Sequence, residues 1–219
     1  MKPLGILMLD TRFPRIVGDI GNPKSFDFPV IFRTMKGIGS ADAVAAHPDR
    51  PRVLAALKAN AEALAADGAI GLSTSCGFLA LYQKDLEALS PVPVATSALL
   101  LIKALQGRNV GVLTASAENL TPAHFISVDA PPDTPVEGLP RDSSFASTFL
   151  RNGLTLDREA VEREAVAAGR ALLEKNPAVD TIVLECTNLP PYKAALKAAL
   201  GVPVLDVLDL LRDFRKRLG

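Results

Sequence analysis

Two cysteines, Cys76 and Cys186, stand 110 positions apart in a chain of 219 residues that contains no others. Thiols held on opposite sides of one carbon form an acid/base pair. One thiolate removes the proton from a carbon next to a carboxylate or carbonyl, and the other thiol returns a proton to the opposite face. The planar intermediate carries extra negative charge on oxygen, which backbone N–H groups and hydroxyls stabilise. A disulfide is incompatible with that arrangement. Reacting atoms about 3 to 3.5 Å from a shared carbon put the sulfurs roughly 7 Å apart, whereas a disulfide needs about 2 Å.

Other residues offer less. His47 and His124 lack metal-ligand spacing. Gly18 and Gly21 do not form a dinucleotide fingerprint, and Lys36 is a weak candidate for a Schiff base, so the expectation is a site that needs no cofactor and no metal. Asp10 closes the first apolar run, where it either caps a turn or positions a ligand. Thr114 and Ser116 are balanced between the same readings. Arg12 or Arg15 is placed to clamp a carboxylate.

The elements that must position the thiols emerge when the chain is slid against itself by 110 positions. Cys76 meets Cys186, Leu79 meets Leu189, Tyr82 meets Tyr192, and Val92-Pro93-Val94 meets Val202-Pro203-Val204, within 8 identities over the 19 positions from 76. Unrelated sequence would give about one or two. Short apolar runs near 4–9, 29–34, 69–74, 92–96, 110–114, 179–185 and 202–205 read as strands, alternating with helical segments at 51–66, 77–89, 97–106, 157–175, 191–200 and 206–217. Asp157 is a candidate helix N-cap.

The pattern predicts an α/β protein of two pseudo-symmetric Rossmann-like lobes with parallel sheets and a ligand cleft between them. The expected division is 1–97 plus 205–219 for the lobe carrying Cys76, and 98–204 for the lobe carrying Cys186. Each cysteine follows a strand and opens a helix, at the sheet edge where open α/β folds bind ligands. The helix N-terminus there is expected to favour thiolate over thiol. Residues 127–142 contain four prolines and read as a connector with little regular structure. Residues 11–28 read as a long irregular stretch, either a lid or disordered.

Lys plus Arg and Asp plus Glu both number 24, and 48% of residues are hydrophobic. An ordinary globular core is expected, with no overall field to draw in nucleic acid or a membrane surface. No apolar run reaches the length of a membrane span. The N-terminus does not read as a signal peptide, so a cytoplasmic, reduced protein is the default, and a homo-oligomer is compatible with the sequence.

The segments STSCGF at 73–78 and LECTNLPPY at 184–192, with Asp10 and the turn Thr114-Ala115-Ser116, resemble the aspartate/glutamate/hydantoin racemase superfamily over nearly the whole chain. The resemblance implies two lobes, catalysis by Cys76 and Cys186 without pyridoxal phosphate or metal, and a small carboxylate or hydantoin as substrate. Asp10, Arg12, Thr74, Ser75, Gly77, Thr114, Ser116, Thr187 and Asn188 are then the substrate-binding candidates. The expected enzyme is an isomerase, a racemase or epimerase acting on an aspartate-like amino acid or a hydantoin. The superfamily also holds maleate-type cis-trans isomerases and arylmalonate-type decarboxylases, and a non-catalytic two-lobed binding protein is the reading from another class. Gly77-Phe78 replaces the Asn-Thr that many members have after the first cysteine. Asn188 replaces the histidine typical of glutamate racemases, which argues against glutamate.

Overall fold

A computed structural model describes residues 1–45 and 47–219. Its frame is two four-stranded parallel sheets. The first takes β1 (Leu4–Leu9), β2 (Val30–Met35), β3 (Leu72–Thr74) and β4 (Val94–Ala95), in the spatial order β2-β1-β3-β4. The second repeats that order with β5 (Val110–Thr114), β6 (Val136–Gly138), β7 (Thr181–Leu184) and β8 (Val204–Leu205) as β6-β5-β7-β8. The α/β class and the two-sheet plan expected from the repeat are therefore present.

Strands β1, β5 and β7 read as apolar runs, broken only by a threonine at one end of β5 and of β7, because helices cover both faces of such sheets. All residues of β1, β5 and β7 are buried. The outer strand β2 is half exposed and its apolar run is interrupted by Arg33 and Thr34. Gly5 in β1 and Gly111 in β5 occupy equivalent places under crossover elements: an added Cβ would come within 3.1 Å of Leu64 in one lobe and 3.0 Å of Leu172 in the other.

Eight α-helices accompany the sheets among the described residues: α1 (Ser40–Ala43), α2 (Arg50–Ala66), α3 (Gln83–Leu89), α4 (Leu100–Ala104), α5 (Pro122–Ile126), α6 (Arg158–Lys175), α7 (Lys193–Leu200) and α8 (Val207–Arg217). Helix α2 buries Val53, Leu57, Ala61 and Leu64, one face at helical spacing. Each fully buried leucine of this kind contributes about 1.5–3 kcal/mol. Asp157 caps α6 as expected, its side chain accepting from the Ala160 N–H. Helix α8 returns to the first sheet, where Phe214 and Leu218 pack on Gly71. None of these helices is long and apolar enough to cross a membrane.

Several local expectations change. Both cysteine turns open into short 3-10 turns, Gly77–Tyr82 and Pro190–Tyr192, before α3 and α7 begin. The connector at 127–142 contains the strand β6, paired from Val112↔Val136 to Thr114↔Gly138. Residues 11–28 are neither disordered nor an open flap: Phe13, Asp19 and Ile20 are buried. Side-chain hydrogen bonds, which leave no periodic trace in sequence, hold that loop together. Arg15 donates to Asp19 and Thr11, the Gly21 N–H donates to Asp19 Oδ1, and Ser25 Oγ donates to the Asp19 carbonyl. A π-helical turn, Ala146–Leu150, is a further element without a sequence signal.

Candidate active site

Strands β1, β3, β5 and β7 all point their carboxyl ends toward the junction of the two sheets. Cys76 and Cys186 follow β3 and β7 there, both buried, both free thiols, and both lining one small cavity. Ser75, Gly77, Glu185, Thr187 and Asn188 line it with them, and Phe13, Phe78 and Phe149 form apolar wall.

The two turns are fastened to each other. Thr187 Oγ1 donates to the Ser75 carbonyl at 2.7 Å, bridging the lobes, and the Leu9 N–H donates to Ser75 Oγ at 2.9 Å. Thr74 Oγ1 lies within hydrogen-bond distance of the carbonyls of Cys76 and Thr96, fixing the first turn from behind. The Cys186 thiol donates to Asn188 Oδ1 at 3.6 Å. Asn188 Nδ2 in turn donates to Asp19 Oδ2 at 2.6 Å, and Arg15 pairs with the other Asp19 oxygen at 2.8 Å. A chain of polar contacts thus runs from Arg15 in the 11–28 loop to the second sulfur.

Electrostatics correct one expectation. The surroundings of both cysteines favour thiol over thiolate. Burial pushes Cys76 up to about 12, the neighbouring Glu185 adds to the rise, and the N–H groups of Phe78 and Leu79 oppose it only in part. Burial and Glu185 likewise raise Cys186 well above the usual thiol range. A 3-10 turn supplies two or three aligned peptide dipoles, too few to offset removal of the sulfur from water.

Glu185 is the residue that sequence reasoning passed over, although it stood inside LECTNLPPY. It is completely buried; Thr114 Oγ1 donates to its Oε2 at 2.6 Å, and its Oε1 has no partner. Burial raises it to about 8. An added Cβ on Gly77 would collide with this same Oε1 and with the Glu185 carbonyl, so the first cysteine turn needs its glycine to let the carboxyl pass. A charged side chain at the end of an otherwise apolar strand was the available signal. Asp19 had none, lying in a loop without periodicity.

The other expected residues are distributed around this cavity. Thr114 stands behind Glu185, outside the cavity lining. Ser116 lies in an adjoining groove of about 440 Å³ that shares Ser40, Val44, Ala115 and Leu150 with the cysteine cavity. Asp10 is turned away: its Oδ2 accepts from the Gly37 N–H at 3.0 Å, capping the turn after β2. Arg12 is exposed, and its N–H donates to Asn152 Oδ1 at 2.7 Å. The cysteine cavity itself measures about 20 Å³, room for roughly one water. Phe149 meets Phe13 edge-on at 5.0 Å, and its carbonyl accepts from Ser40 Oγ, so the wall toward the groove is closed in this conformation.

A comparison with models of known protein families matches none. Among characterised proteins, a dimethylsulfoniopropionate lyase of Durusdinium sp. clade D is 27% identical over 223 residues, 94% of this chain and 71% of the relative. Dimethylsulfoniopropionate lyase 5 of Emiliania huxleyi is 30% identical over 225 residues, 96% of this chain but 44% of the relative. The chain thus spans about half to 70% of the length of such relatives. These names correct the expected enzyme class, since the similar proteins are lyases rather than isomerases. The physical reason is plain: inversion and elimination both begin by taking a proton from the carbon beside a carboxylate, so a cysteine pair read from sequence fits either.

Solved structures give the fold. Arylmalonate decarboxylase superposes with a TM-score of 0.63 at 20% identity, covering 98% of this chain and 92% of its own. Glutamate racemase from Thermus thermophilus gives 0.60 at 19% identity, over 98% and 79%. Picrophilus torridus aspartate racemase gives 0.57 at 13% identity, over 94% and 88%. The chain therefore has the two-lobed α/β fold of arylmalonate decarboxylase, glutamate racemase and aspartate racemase, the fold expected from the repeat.

Proposed function

We propose that the chain is a lyase that removes a proton from the carbon next to a small molecule's carboxylate and expels a sulfide from the next carbon along. The observation that carries this reading is the pair of buried thiols lining one cavity in a chain whose similar proteins are dimethylsulfoniopropionate lyases. Solved proteins of the same fold act, by their names, on small carboxylates.

Cys186 is assigned the base, because it is the thiol whose hydrogen is oriented by a partner, Asn188, that is itself held in place. Its thiolate takes the α-proton. The electron pair left behind forms the carbon–carbon double bond, the carbon–sulfur bond breaks, and its electrons leave with the sulfur. From dimethylsulfoniopropionate the products are acrylate and neutral dimethyl sulfide, with one proton passed to the base. Hydroxyls and backbone N–H groups of the two cysteine turns steady the charge that develops on the carboxylate oxygens. Cys76, Ser75, Thr187 and Asn188 form the remaining polar wall, and residues 1–97 with 205–219 and 98–204 are the two lobes that close on the substrate.

Incubation of the purified chain with dimethylsulfoniopropionate, following dimethyl sulfide by gas chromatography and acrylate by ultraviolet absorbance, tests the reading. Equal amounts of both products are expected, with formation slowed at least about a thousandfold in Cys186→Ser. Absence of both products from the wild-type protein overturns it.

A further inference from the structure

The cysteine cavity contains three acidic groups, Cys76, Cys186 and Glu185, and no Lys, Arg or His among the residues that line it. Arg15, a positive group near enough to act on Cys76, is paired with Asp19. Glu185 has no exposure to solvent, and one of its oxygens is left without a donor. Buried carboxyl oxygens ordinarily have a hydrogen-bond partner, and an orphan calls for an explanation. Three phenylalanines, Phe13, Phe78 and Phe149, line the same space, and aromatic walls hold quaternary cations well.

We propose that Glu185 forms a subsite for a positive centre, so that the site takes small zwitterions: carboxylates whose departing group carries a permanent cationic charge, as a sulfonium does. The inference rests on the lyase reading for the location of the reacting carbon, but its binding test does not require turnover. The carboxylate end of the ligand lies against hydroxyls and N–H groups, and the onium end against Oε1 of Glu185 and the phenyl rings.

Binding linkage arises from the groups around Glu185: the Thr114 hydroxyl from β5, the Cys76 thiol and Gly77 turn from the first lobe, and the Cys186 thiol on its own turn, with the Asp19–Arg15 pair beyond Asn188. Burial raises Glu185 to about 8, which keeps it mainly protonated at pH 7 until a cation binds. A cation bound against it favours the carboxylate and drives that proton out.

The experiment is calorimetric titration with two ligands that differ by one atom and one charge, 3-(trimethylammonio)propionate and its all-carbon counterpart 4,4-dimethylpentanoate. Wild-type protein should bind the cationic ligand at least about tenfold more tightly. Glu185→Gln should narrow the gap to within about twofold. In case the variant does not fold, wild-type titrations at pH 7 in buffers of different ionisation enthalpy should register release of close to one proton with the cationic ligand and none with the neutral one. Equal affinities, no binding of the cation, an unchanged gap in Glu185→Gln, or no proton release overturns the subsite. Turnover of dimethylsulfoniopropionate together with equal affinities would sink this inference and leave the lyase reading standing. Discrimination without turnover would do the reverse.

Discussion

At the Cys76 turn, Ser75 precedes the cysteine and Phe78 stands two places after it; at the equivalent Cys186 turn the same positions hold Glu185 and Asn188. The backbones match closely: each cysteine carbonyl accepts from the N–H three residues on, Leu79 or Leu189, at 3.1 Å. Duplication thus preserved the frame while the side chains diverged. The first sulfur faces the backbone N–H groups of Phe78 and Leu79. The second has a side-chain acceptor, a buried carboxyl before it, and a polar chain reaching back to Arg15. Stereoinversion asks both turns for interchangeable acid and base. Elimination of a neutral sulfide asks for one base and no acid, which is what unequal turns can supply.

The largest effect that could break this comparison is the difference between the two serine variants. Cys186→Ser should lower the rate of dimethyl sulfide formation by at least about a thousandfold, because an alcohol is a far weaker acid than a thiol and is barely ionised near neutral pH. Cys76→Ser should cost less than about a hundredfold, since it removes wall rather than base. Equal losses, measured as kcat on the same substrate, would restore the two turns to equivalence and displace Cys186 from its assigned role.

The next effect concerns Glu185 against its counterpart Ser75, read through stability rather than rate. Glu185 rises from an ordinary value of 4.5 to about 8 on folding. Between those values the unfolded chain is ionised while the folded chain still holds the proton. The stability associated with the buried acid is therefore complete below about pH 4.5 and lost as pH rises through about 8, a change on the order of a few kcal/mol. Urea unfolding midpoints measured from pH 5 to pH 8.5 should fall for wild type and fall distinctly less for Glu185→Gln. Parallel slopes would mean that the carboxyl does not keep its proton.

A third contrast is Gly77 against Thr187, which also occupy equivalent positions. Gly77→Ala drives a methyl into the Glu185 carbonyl and side chain, neither of which can withdraw freely, and should cost about 1–3 kcal/mol. Thr187→Ala removes the bond to the Ser75 carbonyl that ties the lobes, worth about 1 kcal/mol. Thermal or urea unfolding should rank them in that order. The reverse ranking would place the more demanding fit on the second turn.

These contrasts also explain what could be read from the sequence. The paired strands were legible because their inner members are mostly apolar, Ser73 and Thr74 of β3 excepted, and the cysteine turns because 110-residue self-similarity survives in Leu79, Tyr82 and the Val-Pro-Val strands. The residues that make the turns unequal were less visible. Glu185 and Asn188 lie within LECTNLPPY, but their roles depend on a partner from elsewhere: Gly77 and Thr114 for one, Asp19 for the other. Asp10 shows the opposite case: of the two readings its position allowed, the Gly37 N–H contact takes the turn cap. Strand β6 was hidden by the prolines around it, since an outer strand of three residues makes little periodic signal. The enzyme class was not in the sequence pattern at all, because the fate of the deprotonated carbon depends on the substrate's leaving group.

The smallest effect is also the most specific to the second turn. Asp19 accepts from Asn188 Nδ2 and thereby turns Asn188 Oδ1 toward the Cys186 thiol. Asp19→Asn keeps the shape but removes the charge, weakening a charge-assisted hydrogen bond toward the ordinary neutral one, a loss of about 1 kcal/mol. The amide of Asn188 is then held less firmly, and kcat should fall by up to roughly fivefold with KM nearly unchanged, because Asp19 holds Asn188 and does not touch the substrate, while losing its charge, which raises Cys186, offsets part of the fall. A general loss of stability would act alike in any background, so the informative measurement is a double-mutant cycle. In Cys76→Ser the Asp19→Asn factor should persist in full, since the assigned base is intact. In Cys186→Ser it should vanish from whatever slow elimination remains, since there is no thiol left for Asn188 to orient. A factor that survives in both backgrounds would show that Asp19 supports the fold of the 11–28 loop alone, and that the polar chain from Arg15 stops short of the chemistry.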